Sequence, residues 1–197
     1  MTKADERARI RHVRSLRSQE QRTAAAQRIA ARALTLLPRP PATVTAYQSL
    51  PSEPGTTPLI SGVLAAGYRL LLPRIAGKDL AWVEVTDATS FVRGPLGIFE
   101  PTGPALPREP SPLFLADVLV MPGLSVDRTG RRLGQGGGYY DRALSIVPTH
   151  ATGGPLRVAV LFDEELVAEV PSEPHDCAVD VLVTPERTVR FDSTTTG

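Results

Sequence analysis

The sequence is poor in the residues that build disulfides, metal clusters and membrane spans. Of its 197 residues only Cys177 is a cysteine, which excludes an internal disulfide and a multi-cysteine zinc site. Three histidines, His12, His150 and His175, lie far apart and lack metal-ligand spacing. No apolar run approaches the roughly 20 residues that span a bilayer, and the basic N-terminus lacks the apolar core of a signal peptide. We therefore expect a soluble cytoplasmic protein without a membrane partner.

Charge is nearly balanced over the whole chain, but not along it. The net charge is +1, yet residues 3–32 hold nine Lys and Arg residues against three Asp and Glu residues. Such an excess can indicate a nucleic acid or small polyanion partner, or only a solvated helix face. Because no aromatic residue lies among these arginines to stack on bases, we expect no nucleic acid partner. The 42% hydrophobic content suits an ordinary globular core, and we expect one domain over 1–197 and a monomer.

Long stretches of the chain have helical composition. Residues 4–37 contain no Gly or Pro, so the segment 1–37 is predicted to be helical, with a break near Ser15–Gln19. Ser18 and Gln21 there have the spacing of a capping box. Thr57 and Pro58 predict an N-cap and a first helical residue. The predicted later helices are Thr57–Ala66, Tyr139–Ile146 and Glu164–Glu169.

Short apolar runs rich in β-branched residues alternate with these helices. Such alternation predicts an α/β fold, a single three-layer domain whose mostly parallel sheet is flanked by helices in a Rossmann-like way. Two proline-rich stretches, Pro38–Pro58 and Pro95–Pro112, predict lids, binding loops or disorder. Residues 191–197 are expected to fray. The predicted strands are Thr43–Tyr47, Arg69–Leu72, Leu80–Val85, Val118–Met121, Arg157–Phe162 and Val179–Thr184.

A glycine cluster follows the apolar run Val118–Met121. Side chains are absent at four of five positions, so backbone N–H groups there can approach a ligand closely. At the start of a helix, such groups favour anions such as phosphate. Neighbouring arginines add cations, and Asp141 offers a carboxylate to a magnesium ion on a phosphate. The cluster comprises Gly134, Gly136, Gly137 and Gly138, flanked by Arg131 and Arg132.

The cluster matches neither of the common nucleotide motifs. No Gly-Lys-Ser/Thr follows it, which excludes a Walker A loop, and Tyr139 occupies the last position of the dinucleotide fingerprint. A phosphate-binding loop and a tight structural turn both remain open on these residues alone.

The run Pro122–Asp141, PGLSVDRTGRRLGQGGGYYD, resembles the signature of the 5-formyltetrahydrofolate cyclo-ligase family. It departs from the family pattern at Val126, where Phe is usual. Further family-like features lie in order along nearly the whole chain: Lys3 and Arg7 before a basic helix, Glu53 and Thr56, Leu72-Pro73-Arg74, Gly97–Pro101, and Asp176 with Asp180.

The resemblance implies an ATP- and magnesium-dependent cyclisation of 5-formyltetrahydrofolate to 5,10-methenyltetrahydrofolate, with release of ADP and phosphate. It implies phosphorylation of the formyl oxygen and attack by N10. For ATP it implies Lys3, Arg7, Arg132, Leu133, Gly134, Gln135, Gly136, Gly137, Gly138, Tyr139 and Tyr140. For the folate substrate it implies Gln48, Glu53, Gln135 and Tyr139, and for Mg²⁺ Asp141 and Asp176.

Several alternatives stay open at this point. The family usually has Leu where Glu6 precedes Arg7, so Arg7 and Arg11, with Ile10 as the apolar residue, form a competing register. Asp180 is a rival to Asp176 as a metal ligand. Two other functions are a sugar-phosphate isomerase-like enzyme, which would need no ATP, and a non-catalytic nucleotide- or RNA-binding module.

Overall fold

A seven-stranded sheet forms the centre of the computed structural model, which describes residues 2–171, 173 and 176–191. The helices are α1 (Lys3–Ser15), α2 (Gln19–Leu34), α3 (Thr57–Ala65) and α4 (Tyr139–Leu144). The strands are β1 (Thr43–Thr45), β2 (Arg69–Ala76), β3 (Asp79–Val85), β4 (Phe91–Arg93), β5 (Phe99–Pro101), β6 (Val118–Pro122), β7 (Ser125–Asp127), β8 (Arg132–Leu133), β9 (Leu156–Val160), β10 (Leu166–Val167), β11 (Val181–Val183) and β12 (Thr188–Arg190).

The central sheet has the order β12-β11-β9-β6-β1-β2-β3. Its five inner strands are parallel, and only the edge strands β3 and β12 pair antiparallel. The predicted α/β fold with a mostly parallel sheet is therefore confirmed. From β1 the chain first builds outward through β2 and β3, then returns to the other side of β1 with β6. That reversal creates a crevice at the carboxyl ends of β1 and β6, where ligands bind in open α/β sheets.

Alternating side chains bury both faces of the sheet. On one face Val44, Leu70 and Val120 pack with α2 and α3 residues such as Ile29 and Leu59. On the other face Leu71, Leu119 and Met121 pack with Trp82 and with Leu144 of α4. Because successive strand residues point to opposite faces, nearly continuous apolar strands are needed for a sheet covered on both sides. The three predicted layers are thus present.

The predicted break in the N-terminal helical segment is confirmed. Ser18 caps α2 by accepting a hydrogen bond from the Gln21 N–H, and the Gln21 side chain accepts one from the Ser18 N–H. This reciprocal pair satisfies two N–H groups that the helix itself leaves unpaired. Among the described residues, no helix is both long enough and apolar enough to cross a membrane.

Two local predictions are wrong. The helix predicted at Glu164–Glu169 is wrong, because one 3₁₀ turn, Asp163–Glu165, is followed by β10, which pairs with β7. The Glu165 carboxylate accepts a hydrogen bond from the Phe162 N–H, and strand pairing then outweighs helix propensity. The N-cap of α3 is Thr56 and not Thr57, and Pro58 follows Thr57 within the first turn.

The proline-rich stretch Pro95–Pro112 is partly ordered into a hairpin. β4 and β5 pair antiparallel as a separate two-stranded sheet, and Glu100 accepts a hydrogen bond from the Ile75 N–H of β2. The other proline-rich stretch, Pro38–Pro58, contains β1 and the first residues of α3. Of the tail predicted to fray, residues 192–197 lie outside the described residues.

A buried ion pair attaches α1 to the carboxyl edge of the sheet. Arg14 of α1 has no exposed surface, and its guanidinium donates to both oxygens of Glu165 at 2.7 and 2.8 Å. The same guanidinium donates to the Gly123 carbonyl just after β6 at 2.8 Å. Breaking a buried pair leaves an uncompensated charge, so this contact is costly to lose.

We expect Arg14→Met to lower the free energy of unfolding by about 3–5 kcal/mol, because Glu165 would remain buried without its partner. Urea denaturation followed by circular dichroism measures the change. Arg28→Met is the matched control, since the Arg28–Glu186 pair is exposed and its loss costs at most about 1 kcal/mol. Equal losses in the two variants would contradict a special role for Arg14.

Candidate functional site

The glycine loop, residues 134–138, lies beside a pocket at the crevice between β1 and β6. Gly134, Gln135, Gly137 and Gly138 all line this pocket, which has a volume of about 870 Å³ including the part open to solvent. Glu53, from the loop after β1, lines the same pocket. The topology of the sheet therefore brings together two chain segments that are about 80 residues apart.

The peptide units of the glycine loop have a defined direction. Arg7 donates from Nε to the Gly134 carbonyl at 3.0 Å, and Arg11 donates from Nη2 to the Gln135 carbonyl at 2.9 Å. These peptide bonds are trans, so the N–H groups of Gln135 and Gly136 point away from α1. No acceptor within the described part of the chain receives an N–H of residues 135–138. The loop thus offers unpaired donors on its side opposite α1.

Glycine is required at two positions of this loop. Gly136 has φ of 105° and Gly138 has φ of 65°, both in the left-handed region that L side chains rarely adopt. A Cβ atom at Gly136 would lie 3.5 Å from the Arg7 guanidinium carbon, an ordinary van der Waals contact, so the backbone conformation and not a lack of space requires glycine there. The two glycines therefore allow the path of the backbone.

Basic residues of α1 lie over the loop and its surroundings. Arg7 and Arg11 contact the loop carbonyls directly, whereas Lys3 Nζ lies 2.7 Å from an oxygen of Asp176 and 3.4 Å from one of Glu173. Residues four apart share a helix face, so Lys3, Arg7 and Arg11 form one basic line along α1. The two alternative pairs of the sequence analysis, Lys3 with Arg7 and Arg7 with Arg11, thus both lie on the helix face that contacts this site.

Arg132 and Asp141 form an ion pair at the wall of the pocket. Arg132 is almost fully buried; its Nη1 donates to the Pro122 carbonyl at 3.1 Å and its Nη2 to Asp141 Oδ1 at 2.7 Å. The Cys177 N–H donates to the same Oδ1 at 3.2 Å, which brings Asp176 to the neighbourhood of Asp141. Asp141 Oδ2 accepts no hydrogen bond from the described residues, so it retains its capacity for a cation.

Glu53 is a buried carboxylate held between two loops. It is 4% exposed; Oε2 accepts from the Leu50 N–H at 2.8 Å and Oε1 from Gln135 Nε2 at 2.8 Å. Burial raises the pKa of Glu53, while these two hydrogen bonds and the charge of Arg14 act in the opposite direction. A carboxylate with spare lone pairs in a pocket can accept further hydrogen bonds from a ligand.

Two buried tyrosine hydroxyls lie near this carboxylate. Burial raises the pKa of Tyr47 and of Tyr140, and the charge on Glu53 adds to both effects. Neither hydroxyl has a hydrogen-bond partner within the described residues. Both residues line the pocket, and a buried hydroxyl without a partner retains its capacity to donate a hydrogen bond. Tyr47 itself is 4% exposed.

The remaining predicted site residues differ in whether they reach the pocket. Gln48 and Tyr139 line the pocket, and the Tyr139 ring lies 5.3 Å from the Arg142 guanidinium carbon. Leu133 faces an apolar cluster, and its carbonyl accepts from the Leu124 N–H, so neither group is available to a nucleotide. Asp180 accepts a hydrogen bond from the Arg157 N–H at 2.8 Å, which links β11 to β9.

One wall of the pocket comes from the segment Pro95–Pro112, for which a binding loop was one of the predictions but whose side chains were not assigned to the site. Leu96, Ile98 and Phe99 of the β4–β5 hairpin line it, and Leu96 and Phe99 are each 54% exposed. The available signal was the presence of large apolar side chains within a segment otherwise rich in proline and glycine. Arg14 was also missed, because a single arginine in a basic helix carries no sign of being buried.

The arrangement suits a phosphate-bearing ligand next to a hydrogen-bonding one. Loop N–H groups and basic side chains bind anions, whereas Glu53 and apolar side chains line the adjoining space. The carboxylates of Asp141 and Asp176 are hard oxygen donors of the kind that Mg²⁺ prefers. Within the described residues there is no group of three or more His, Cys, Asp or Glu side chains that could hold a metal alone.

Comparisons with known proteins identify the family of the chain. The model of the 5-formyltetrahydrofolate cyclo-ligase family matches residues 1–185. A 5-formyltetrahydrofolate cyclo-ligase of Mycolicibacterium smegmatis is 41% identical over 152 residues, which cover 74% of each chain. The enzyme of that name from Escherichia coli is 33% identical over 182 residues, covering 90% of this chain and 97% of the relative.

A solved structure extends the likeness to the fold. The 5,10-methenyltetrahydrofolate synthetase of Aquifex aeolicus superposes with a TM-score of 0.79 at 29% identity, covering 100% of this chain and 96% of that one. The family resemblance that the run Pro122–Asp141 indicates is therefore confirmed, and it extends over nearly the whole chain. This chain belongs to the 5-formyltetrahydrofolate cyclo-ligase family.

Proposed function

We propose that this protein cyclises 5-formyltetrahydrofolate to 5,10-methenyltetrahydrofolate with consumption of ATP. One observation carries the proposal beyond family membership: the glycine loop and the buried Glu53 carboxylate share a single pocket. The loop has the donors for a triphosphate, and Glu53 can accept from the N–H groups of a pterin or from N10. A reaction that joins a nucleotide to a folate needs these two kinds of recognition side by side.

The chemical problem is a formamide oxygen that is a very poor leaving group. Transfer of the γ-phosphoryl group from ATP to that oxygen releases ADP and gives an activated iminium phosphate. The N10 amine then attacks the formyl carbon and loses its proton, the C–O bond breaks, and phosphate departs. Because no covalent enzyme intermediate is needed, the protein contributes alignment and stabilisation of phosphate charge.

The phosphate side of the pocket has residues for both tasks. N–H groups of residues 135–138 would donate to the phosphate oxygens, as preorganised donors do where charge develops in a transition state. Arg7 and Lys3 would add positive charge from α1, with Arg11 adjacent. Arg132 and Tyr140 would complete this side. Leu133 would contribute only through the backbone position it gives to Gly134.

Asp141 and Asp176 fit a magnesium ion. Asp141 lines the pocket together with the glycine loop, and Asp176 precedes Cys177, whose N–H donates to Asp141. Asp141 Oδ2 is the oxygen that would bind the cation, since Oδ1 already accepts from Arg132 and Cys177. Asp176 Oδ2 accepts from Lys3 and from the Glu173 N–H, so Lys3 would have to shift for this oxygen to contact a cation. When bound, Mg²⁺ would neutralise phosphate charge and orient the triphosphate.

The folate side would combine hydrogen bonding with stacking. Glu53 would accept from the substrate, while Gln48 would lie beside it. The Tyr139 ring would offer a flat aromatic surface to the pterin. Apolar side chains of the β4–β5 hairpin would cover the opposite wall.

A coupled absorbance assay tests this function. Purified protein with 5-formyltetrahydrofolate and MgATP is expected to give a rise in near-ultraviolet absorbance from the conjugated amidine product, with one ADP formed per product. Omitting ATP should abolish the rise. Turnover of a sugar phosphate without ATP would favour the isomerase-like alternative. Salt-sensitive RNA binding with no turnover would favour the binding module instead.

We expect Asp141→Asn to lose most magnesium-dependent activity while the protein stays folded, because an amide is a weaker ligand for a hard cation. Turnover measured against Mg²⁺ concentration should fall by at least about tenfold at saturating ATP. Asp79→Asn, in an exposed pair with Arg108, is the matched control and should behave like the wild type. Unchanged turnover in Asp141→Asn would remove Asp141 from the metal site.

We expect Gly136→Val to weaken ATP binding by at least about tenfold, since a β-branched residue at φ of 105° would displace the loop N–H groups. Equilibrium binding of a fluorescent ATP analogue measures the loss. Gly153→Val introduces the same strain at φ of 92° in open space, distant in sequence from the loop, and should keep normal ATP affinity. Normal affinity in Gly136→Val would refute the assignment of the loop.

A further inference from the structure

We propose that Gln135 is a positioning residue that couples nucleotide binding to folate binding, because its side chain joins the glycine loop to Glu53. This inference rests on the proposed function, which assigns the loop to phosphate and Glu53 to folate. It concerns neither site by itself but the connection between them.

The Gln135 amide connects two charged groups of opposite sign. Its Oε1 accepts from Arg11 Nη2 at 3.2 Å, and its Nε2 donates to Glu53 Oε1 at 2.8 Å. The reversed amide would place its NH₂ group against a guanidinium, which has no acceptor, and its oxygen against a carboxylate, which has no hydrogen. The two neighbours thus define one orientation of the amide.

Arg11 holds both the backbone and the side chain of the same residue. The Arg11 Nη2 atom donates to the Gln135 carbonyl at 2.9 Å as well as to the amide oxygen. The backbone path of the loop and the direction of the Gln135 side chain are consequently linked. Any ligand that holds the loop N–H groups on the opposite side of these peptides also restricts the Gln135 side chain.

Glu53 depends on this contact for its own orientation. Its other oxygen accepts from Leu50, and the Glu53 N–H donates to the Leu50 carbonyl at 2.9 Å, so both contacts stay within one tight turn. Within the described residues, Gln135 gives the only side-chain hydrogen bond to Glu53 from another part of the chain. Since Glu53 is buried, losing that donor leaves a carboxylate oxygen without compensation.

Positive coupling follows from these contacts. A nucleotide that orders residues 134–138 also orders Gln135, which then holds Glu53 in the direction that folate requires. Folate that binds Glu53 restricts Gln135 and the loop in the same way. When one ligand is bound, part of the conformational entropy that the other would lose on binding has therefore already been lost. Linkage requires that each ligand raise the affinity of the other by the same factor.

The experiment measures this linkage in the full chain. The dissociation constant of 5-formyltetrahydrofolate is determined with and without a non-hydrolysable ATP analogue and Mg²⁺, and that of the analogue with and without folate. In the wild type each ligand should lower the dissociation constant of the other by the same factor, about fivefold or more. In Gln135→Met, which keeps the length and the backbone contact but lacks the amide, the factor should fall close to one.

Two further variants make the outcome specific. Gln27→Met, on the exposed surface of α2, is the matched control and should keep the wild-type factor. Gln135→Asn keeps the amide but shortens the side chain, so it should also lose the coupling. This variant provides the test if Gln135→Met misfolds. Failure of the wild type to bind either ligand would overturn the proposed function. Binding of both ligands with an unchanged factor in Gln135→Met and Gln135→Asn, or with no coupling in the wild type, would overturn only this inference.

Discussion

The site depends on two hydrogen bonds that turn the glycine loop toward α1. Arg7 and Arg11 donate hydrogen bonds to the carbonyls of Gly134 and Gln135. Because the peptide bonds are rigid and trans, the N–H groups that follow point away from α1. Glycines at positions of positive φ allow this path without side-chain strain. Without the two arginines, the same glycines would leave the loop free to choose other conformations. The basic face of α1 is thus a scaffold for the loop as well as a source of positive charge.

That scaffold works because α1 is anchored to the sheet. Arg14 reaches both Glu165 and the Gly123 carbonyl at the end of β6, and the glycine loop continues from the small hairpin that follows β6. The same edge of the sheet carries Glu53 after β1, the neighbour of β6. The strand order of the parallel sheet reverses at β1, and this reversal brings three features to one edge of the sheet. They are a basic helix, a loop with unpaired N–H donors and a buried carboxylate.

Much of this could be predicted from local patterns. The sheet strands, the break capped by Ser18 and the signature of Pro122–Asp141 rest on periodicity, capping chemistry and a long motif, which are all local. Predictions were wrong where a distant partner decided the outcome. Leu166–Val167, predicted as part of a helix, became a strand because β7 was available to pair with it. The segment Pro95–Pro112, for which lids, binding loops and disorder were all open, contributes β5 to a hairpin with β4 and lines the pocket. Asp141 and Asp176 stay predictions as metal ligands, as do the nucleotide and folate contacts.

The sequence by itself determined the family, the α/β class and the residue types of the site, because those are properties of composition, period and motif. Only the tertiary structure decided what each residue does there: that Leu133 turns to the apolar interior, that Arg14 is enclosed, and that Gln135 bridges Arg11 and Glu53. Contacts between residues 82 or 124 positions apart have no local signature. They arise when strand order and helix packing bring distant segments to the same edge of the sheet.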